Sequence, residues 1–304
     1  FFSGTFDIMC PTALTAHLNN ETEAAPMSIK ITATSTCDLP AELVERHQIT
    51  LVPLYVSYGG GTYRDGVDTG PEDIFRHVEE GGPLPSTSAV NIADYQALFA
   101  ELSPEYDHVL HITIGSDFSC CYQNALVAAA DYPNVHVVDS QNLTVGQGLL
   151  VLEAALAAER GASLDEILAL LEALIGKVDT TFVVDKLDYL AKGGRCSSVV
   201  ALGANLLKLK PCIVLADGKM TVGKKYRGVF DKVLADYVLD QLTGKDVNQD
   251  RIFVVHTRCD PAIPESVCAM VRQFGFHDVI TAVAGSTISC HCGPNTLGII
   301  FLRK

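Results

Sequence analysis

From residue 28 the chain alternates short apolar runs with segments of helical period. Ser28-Ile29-Lys30-Ile31-Thr32-Ala33 predicts a strand, and Asp38-Leu39-Pro40, an N-cap followed by an early proline, predicts a helix over 39–47. A strand over 49–56 follows, then helices over 71–80 and 92–102, a strand over 108–114 and a helix over 119–130. A strand over 135–138 leads into a long Ala/Leu-rich helix over 143–160. Short apolar strands separated by helices imply a parallel sheet covered on both faces, which binds ligands beyond the carboxyl ends of its strands. Gly161-Ala162-Ser163 interrupts the pattern, with Ser163 capping a further helix to about Gly176. Beyond it the strands are more widely spaced, at 179–184, 210–216, 219–227, 251–257, 277–284 and 296–302. Helices fit 186–192, 197–207, 229–242 and 262–274. Asp217-Gly218 between two strand-like runs is a hairpin signal. The fold expected is α/β in two domains: an N-terminal parallel α/β/α sheet domain over 27–162, and a C-terminal α+β domain with a mixed or antiparallel sheet over 163–304. Residues 1–26, polar with little periodicity over 12–26, are expected to be a leader, disordered or vector-derived.

Three Ser/Thr-rich turns stand out, each expected to open a helix: Pro85-Ser86-Thr87-Ser88, Gly115-Ser116-Asp117-Phe118-Ser119 and Asp139-Ser140-Gln141-Asn142. Helix starts offer free N–H groups and a partial positive charge, and hydroxyls add donors without adding charge. Two or three such turns meeting at one sheet edge would seat a small anion such as a carboxylate or phosphate. The plain alternative for Ser119 is an N-cap, and Asn91 is able to cap the next helix without Ser86-Thr87-Ser88.

Charge and cysteine content narrow the choice. Lys+Arg number 22 against Asp+Glu 36, a net charge of −14, which argues against nucleic acid or an anionic membrane surface as the main partner. No apolar run is long enough to span a bilayer. There is neither a P-loop nor a dinucleotide-type glycine loop. Ten cysteines without a C-x-x-C pair, most beside apolar residues, predict buried free thiols in a reducing cytoplasm.

Gly193-Gly194-Arg195, on a turn between helices, would bring an arginine close to an anion; its plain reading is an arginine capping helix carbonyls. Cys290-His291-Cys292 invites a zinc reading. On a strand, however, 291 faces away from 290 and 292, and no second cluster completes a ligand set. His108 and His111 lie on opposite strand faces and read as structural. Ser119 or Cys121 as a nucleophile would suit an acyl hydrolase or transferase, but G-x-S-x-G is absent and no base is adjacent in sequence.

Taken in order, these segments resemble the DegV family of bacterial fatty-acid-binding proteins, from Met27 onward. Ile31-Thr32-Ala33-Thr34-Ser35-Thr36-Cys37-Asp38-Leu39-Pro40 is similar to the family's I-x-T-D-S-T-x-D-L-P, with Thr34 in place of Asp. Tyr63-Arg64-Asp65-Gly66-Val67-Asp68 resembles its Y-x-D-G-x-D/E turn. Thr87-Ser88 matches a T-S segment, and Ser116-Asp117-Phe118-Ser119-Cys120-Cys121-Tyr122-Gln123 is similar to S-x-x-L-S-G-T-Y-Q. Asp139-Ser140, Tyr189–Arg195, Leu209-Lys210-Pro211 and His291-Cys292-Gly293-Pro294 fall in the family's order. Cys120 stands for Gly, Cys121 for Thr, and Cys292 and Asn295 alter H-T-G-P-G.

The resemblance implies one long-chain fatty acid held between the two domains, with Thr87, Ser88, Ser119, Arg195 and His291 at its carboxylate. It further implies a cytoplasmic protein that is not itself an enzyme and needs no cofactor or metal. Such a protein presents the carboxylate to a dihydroxyacetone-kinase-like fatty acid kinase, which forms an acyl phosphate for phospholipid synthesis. Alternatives are the acyl hydrolase or transferase above, and a lipid carrier or sensor that works without a kinase.

Overall fold

A computed structural model describes residues 28–200 and 209–304; the expected leader and the later part of the 197–207 helix lie outside the described residues. In chain order the elements are β1 (Ile29–Thr34), α1 (Ala41–Arg46), β2 (Thr50–Val52), β3 (Tyr55–Tyr58), β4 (Gly61–Arg64), α2 (Pro71–Glu79), β5 (Ser86–Ser88), α3 (Ile92–Leu102), β6 (His108–Thr113), α4 (Cys121–Ala129), β7 (Val135–Asp139) and α5 (Thr144–Glu159). There follow α6 (Leu164–Ile175), β8 (Val178–Val184), α7 (Asp188–Gly193), α8 (Ser197–Val200), β9 (Leu209–Ala216), β10 (Lys219–Arg227), α9 (Phe230–Leu242), β11 (Val247–Thr257), α10 (Ala262–Arg272), β12 (Asp278–Val283), α11 (Ser286–Cys292) and β13 (Thr296–Arg303).

The N-terminal domain holds a four-stranded sheet in the order β2-β1-β6-β7, parallel throughout. The C-terminal domain holds six strands in the order β10-β9-β8-β13-β11-β12, antiparallel except for β11 with β12. The mixed α/β architecture expected from the alternation of periods is what is found. α5 lies between the two sheets, against β1 and β6 on one side and β8 and β13 on the other. Twelve of its sixteen residues are buried, as befits a helix that is apolar around its circumference. One continuous core therefore runs from Tyr95 and Phe99 through Leu149–Leu152 to Phe253 and Ile300. α9 and α10 cover the opposite face of the six-stranded sheet over Val238, Val254 and Val267.

The expected strand over 49–56 breaks in two. Pro53 cannot donate a ladder hydrogen bond, and beyond it β3 leaves the parallel sheet for a small antiparallel one, β4-β3-β5. Ser86–Ser88 is a strand of that sheet and not a helix start. The helix after it opens at Ile92, where the Asn91 side chain accepts from the Asp94 N–H at 2.9 Å. Residues 286–292 form a helix, not the strand assumed for Cys290-His291-Cys292. Ser163 caps α6 as expected, in a reciprocal box with Glu166. Thr34, where related motifs carry Asp, is fully buried, accepting from the Gln147 side-chain amide at 2.8 Å and the Ile114 N–H at 3.0 Å. A neutral hydroxyl thus ties the end of β1 to α5 and β6.

Candidate functional site

Beyond the carboxyl ends of β6 and β7, elements from both halves of the chain line a chamber that opens to solvent. Thr87, Ser88, Ser119, Arg195 and His291, separated by up to 204 residues, all line it. Each arrives on a different support. Thr87 and Ser88 come from β5, whose Thr87 pairs with the buried Val56 of β3. Ser119 precedes α4, and its Oγ accepts from the Cys121 N–H at 3.3 Å and donates to Cys121 Sγ at 3.2 Å. α4 begins two residues later than expected, with Cys120 as N-cap at φ −75°. Cys120 is exposed and sits at an ordinary backbone angle, so the position does not require glycine here.

Arg195 follows Gly194, which closes α7 in the left-handed region at φ 68°. Its Nη1 donates to the Gly193 carbonyl at 2.8 Å and its Nε to the Phe118 carbonyl at 3.5 Å. The helix-capping contact of the plain reading is thus present on a side chain that also borders the chamber. His291 Nε2 lies 2.8 Å from Thr87 Oγ1, while Nδ1 is buried without a partner among the described residues. Burial first, and the nearby Arg195 charge second, pull the imidazole down to about 4, so it is neutral at pH 7. With the proton on Nε2 the ring donates to Thr87 Oγ1 and leaves the threonine O–H free to point at an anion, whereas with the proton on Nδ1 the threonine donates to the ring. Gly193 makes the packing possible, since a Cβ there would stand 2.4 Å from His291 Nδ1.

The third hydroxyl turn does not join this group. Ser140 bonds to both the N–H and the carbonyl of Asn142, and Asp139 accepts from Ser116 and Gln141, so its polar groups are consumed within the loops. Leu143, just beyond it, lines the chamber instead. Inward, the chamber shares Leu143, Ile288 and Cys292 with a second, smaller cavity. That cavity is walled by Phe182, Val255 and Ile300 of the six-stranded sheet. The arrangement is a hydroxyl- and arginine-bearing mouth above an apolar interior. Among the described residues, no three His, Cys, Asp or Glu side chains are grouped to hold a metal ion, and no helix is long and apolar enough to cross a membrane.

A family model described as "Uncharacterised protein, DegV family" matches residues 28–304. The chain belongs to the DegV family. A DegV domain-containing protein of Caldanaerobacter subterraneus is 32% identical over 280 residues, covering 91% of this chain and 99% of the relative. A DegV protein from Thermus thermophilus, whose structure is described as showing fatty acid binding, superposes with a TM-score of 0.83 at 32% identity, covering 91% of this chain and all of that one. A stearic acid-binding protein from Eubacterium ventriosum superposes with a TM-score of 0.79 at 31% identity, covering 91% of this chain and 98% of that one.

Cys121 is fully buried, and burial pushes its thiol above the ordinary range, which opposes thiolate formation and a nucleophilic role. Asn295 takes the left-handed backbone at φ 53°, a conformation that asparagine tolerates better than most side chains. Sequence reasoning missed Thr287. Its i, i+4 spacing to His291 would have revealed it had the segment been read as a helix. It also missed the two carboxylates that hold this helix in place. Asp38 accepts from the Gly285 N–H at 3.0 Å and Asp65 from the Ser286 N–H at 2.9 Å. Burial lifts Asp38 to about 8.

Proposed function

We propose that the protein binds one long-chain fatty acid between its domains and presents the carboxylate to a dihydroxyacetone-kinase-like fatty acid kinase for acyl-phosphate formation. The observation that carries this reading is the continuity of the polar mouth at Thr87, Ser119, Arg195 and His291 with the apolar cavity behind it. The names of the relatives from Thermus and Eubacterium support the ligand class. The kinase step rests on the family resemblance of the motifs.

Burial of an acyl chain contributes about 0.8 kcal/mol per CH₂, so sixteen carbons supply roughly 12 kcal/mol before ordering costs. The tail then governs affinity. The mouth orients the head group and prevents an unpaired buried charge. In this role the Ser119 hydroxyl turns from Cys121 Sγ to donate to the carboxylate from the start of α4, and Arg195 supplies the positive charge.

Solvent extraction of purified protein, followed by gas chromatography, should release a long-chain fatty acid, and delipidated protein should rebind it on titration. A protein that carries no lipid and binds none when it is supplied would end this reading. Arg195→Ala should slow acyl-phosphate formation by a cognate kinase more than it weakens lipid binding, with a loss of roughly 1.5–3 kcal/mol. An unchanged rate would leave Arg195 as a helix cap.

A further inference from the structure

Thr287 lies on α11 one turn before His291, so the two side chains share a helix face. It lines the mouth chamber beside Ser88 and Ile288. It is only 4% exposed, and its Oγ1 has no hydrogen-bond partner among the described residues. On the same helix Ser289 satisfies its hydroxyl by donating to the Ala284 carbonyl, five residues back, at 3.2 Å. Thr287 makes no such bond. A buried hydroxyl without a partner is costly unless something else supplies one, and the wall it occupies faces the only ligand this chamber is proposed to hold.

The polar groups around it limit what that partner is. One hydrogen of Arg195 Nη1 is taken by the Gly193 carbonyl, and His291 Nε2 is engaged with Thr87. The donors left to meet a carboxylate are hydroxyls and the remaining guanidinium N–H groups. An ionised carboxylate presents about four lone-pair sites, to be shared among the hydroxyls of Thr87, Ser88, Ser119 and Thr287 and the free Arg195 N–H groups that line the same chamber.

We infer that Thr287 is a further ligand-contact residue, donating its hydroxyl to a carboxylate oxygen of the bound fatty acid. The inference rests on the fatty-acid reading above. It makes α11 a two-point grip, with Thr287 in direct contact and His291 acting through Thr87.

The test compares wild type, Thr287→Val and Thr287→Ser with palmitate labelled with ¹³C at C1 or at the terminal methyl. Valine is nearly isosteric and removes only the hydroxyl. In the ligand-free protein Thr287→Val should leave the melting temperature unchanged or raise it, because an unpartnered buried hydroxyl has been deleted. Its Kd for palmitate should nevertheless rise by about 10-fold. The bound C1 resonance should shift, with the methyl resonance unmoved. Thr287→Ser should restore both the affinity and the C1 position. Wild-type affinity and an unmoved C1 resonance in Thr287→Val would overturn the assignment while leaving fatty-acid binding intact. A lowered ligand-free melting temperature with an unmoved C1 resonance would make Thr287 a packing residue and likewise overturn it. Absence of palmitate binding by wild type would instead remove the underlying reading, and this inference with it.

Discussion

Replacing Gly193 by alanine isolates the close approach between α7 and the site histidine. Gly193 is the last residue of α7 and keeps a negative φ, whereas the C-cap Gly194 has positive φ. Inside a helix alanine is favoured over glycine by up to about 1 kcal/mol. Local propensity alone therefore predicts a neutral or stabilised protein. The tertiary environment predicts something else. The new Cβ would lie 2.4 Å from His291 Nδ1, with Cγ and Cε1 at 3.4 and 3.5 Å. Reaching ordinary contact requires the ring to withdraw by roughly 1 Å, since real Cβ contacts closer than 3.0 Å are essentially never seen. The Thr87–His291 bond now spans 2.8 Å, and a displacement of that size takes it past hydrogen-bonding range. Overpacking costs about 1–3 kcal/mol, partly offset by the helix preference, so the melting temperature should fall by only a few degrees. Fatty-acid affinity should fall by about 10-fold, as Thr87 loses the partner that orients it. Gly194→Ala is the control. Its Cβ meets nothing within 4 Å but must adopt φ 68°, which costs on the order of 1 kcal/mol of stability and should leave affinity unchanged. Calorimetric titration and thermal melts of both variants, with imidazole NMR to follow the ring, measure each quantity separately. Wild-type affinity and an unmoved His291 resonance in Gly193→Ala would refute the argument.

Ser119→Ala should weaken fatty-acid binding by about 1–2 kcal/mol while the protein stays folded, because one donor and one cap to the Cys121 N–H are lost. Robust ester or thioester hydrolysis by wild type that vanishes in this variant would instead favour the acyl-hydrolase alternative. His291 is held neutral to about 4, against an ordinary value of 6.5, so the unfolded chain binds the proton first on acidification. Stability should be fully present above pH 6.5 and fall towards pH 4, by up to about 3 kcal/mol from this group. Chemical denaturation across that window should show a flatter profile in His291→Gln, and equal slopes would count against the assignment. Asp38 acts in the opposite direction. Its folded value is raised to about 8, so its contribution is greatest in acid and is lost as pH rises towards 8. Asp38→Asn keeps an acceptor for the Gly285 N–H and should gain on wild type between pH 5 and pH 8, whereas a constant difference would exclude this linkage.

The helices that carry their own punctuation were legible in the sequence. Asn91 before α3, Ser163 with Glu166 at α6, and the Ala/Leu run of α5 each state a boundary or an environment locally. The site residues could be listed from motif order, but their convergence depends on pairings between distant segments. Two local signals misled. Ser86-Thr87-Ser88 looks like a helix entry because hydroxyl residues favour N-caps, yet it pairs with β3, and cross-strand pairing decides such short segments. Ile288, Thr287 and the cysteines of 286–292 suggest a strand by composition. Gly285 before the segment and Gly293-Pro294 after it were the helix start and stop signals that prevailed. Neither Asp38 nor Asp65 could be assigned to α11 without knowing that residues 285–286 return to the N-terminal domain.

That return has a consequence for biosynthesis. The contacts that seat α11 join Gly285 to Asp38, Ser286 to Asp65 and Thr69, and His291 to Thr87, across separations of 247, 221, 217 and 204 residues. Contacts so distant along the chain form slowly, because loop closure must precede any gain from them. While a ribosome is still translating the C-terminal domain, β1, β6 and α5 are available, but the helix that closes one wall of the chamber is not. Leu54, Ile114 and Leu143 would then face an unfinished wall, exposing apolar surface of the kind that aggregates or recruits chaperones. Ligand capture is thereby restricted to late in synthesis, and a nascent chain stalled before residue 285 should bind no fatty acid even when its parallel sheet is complete.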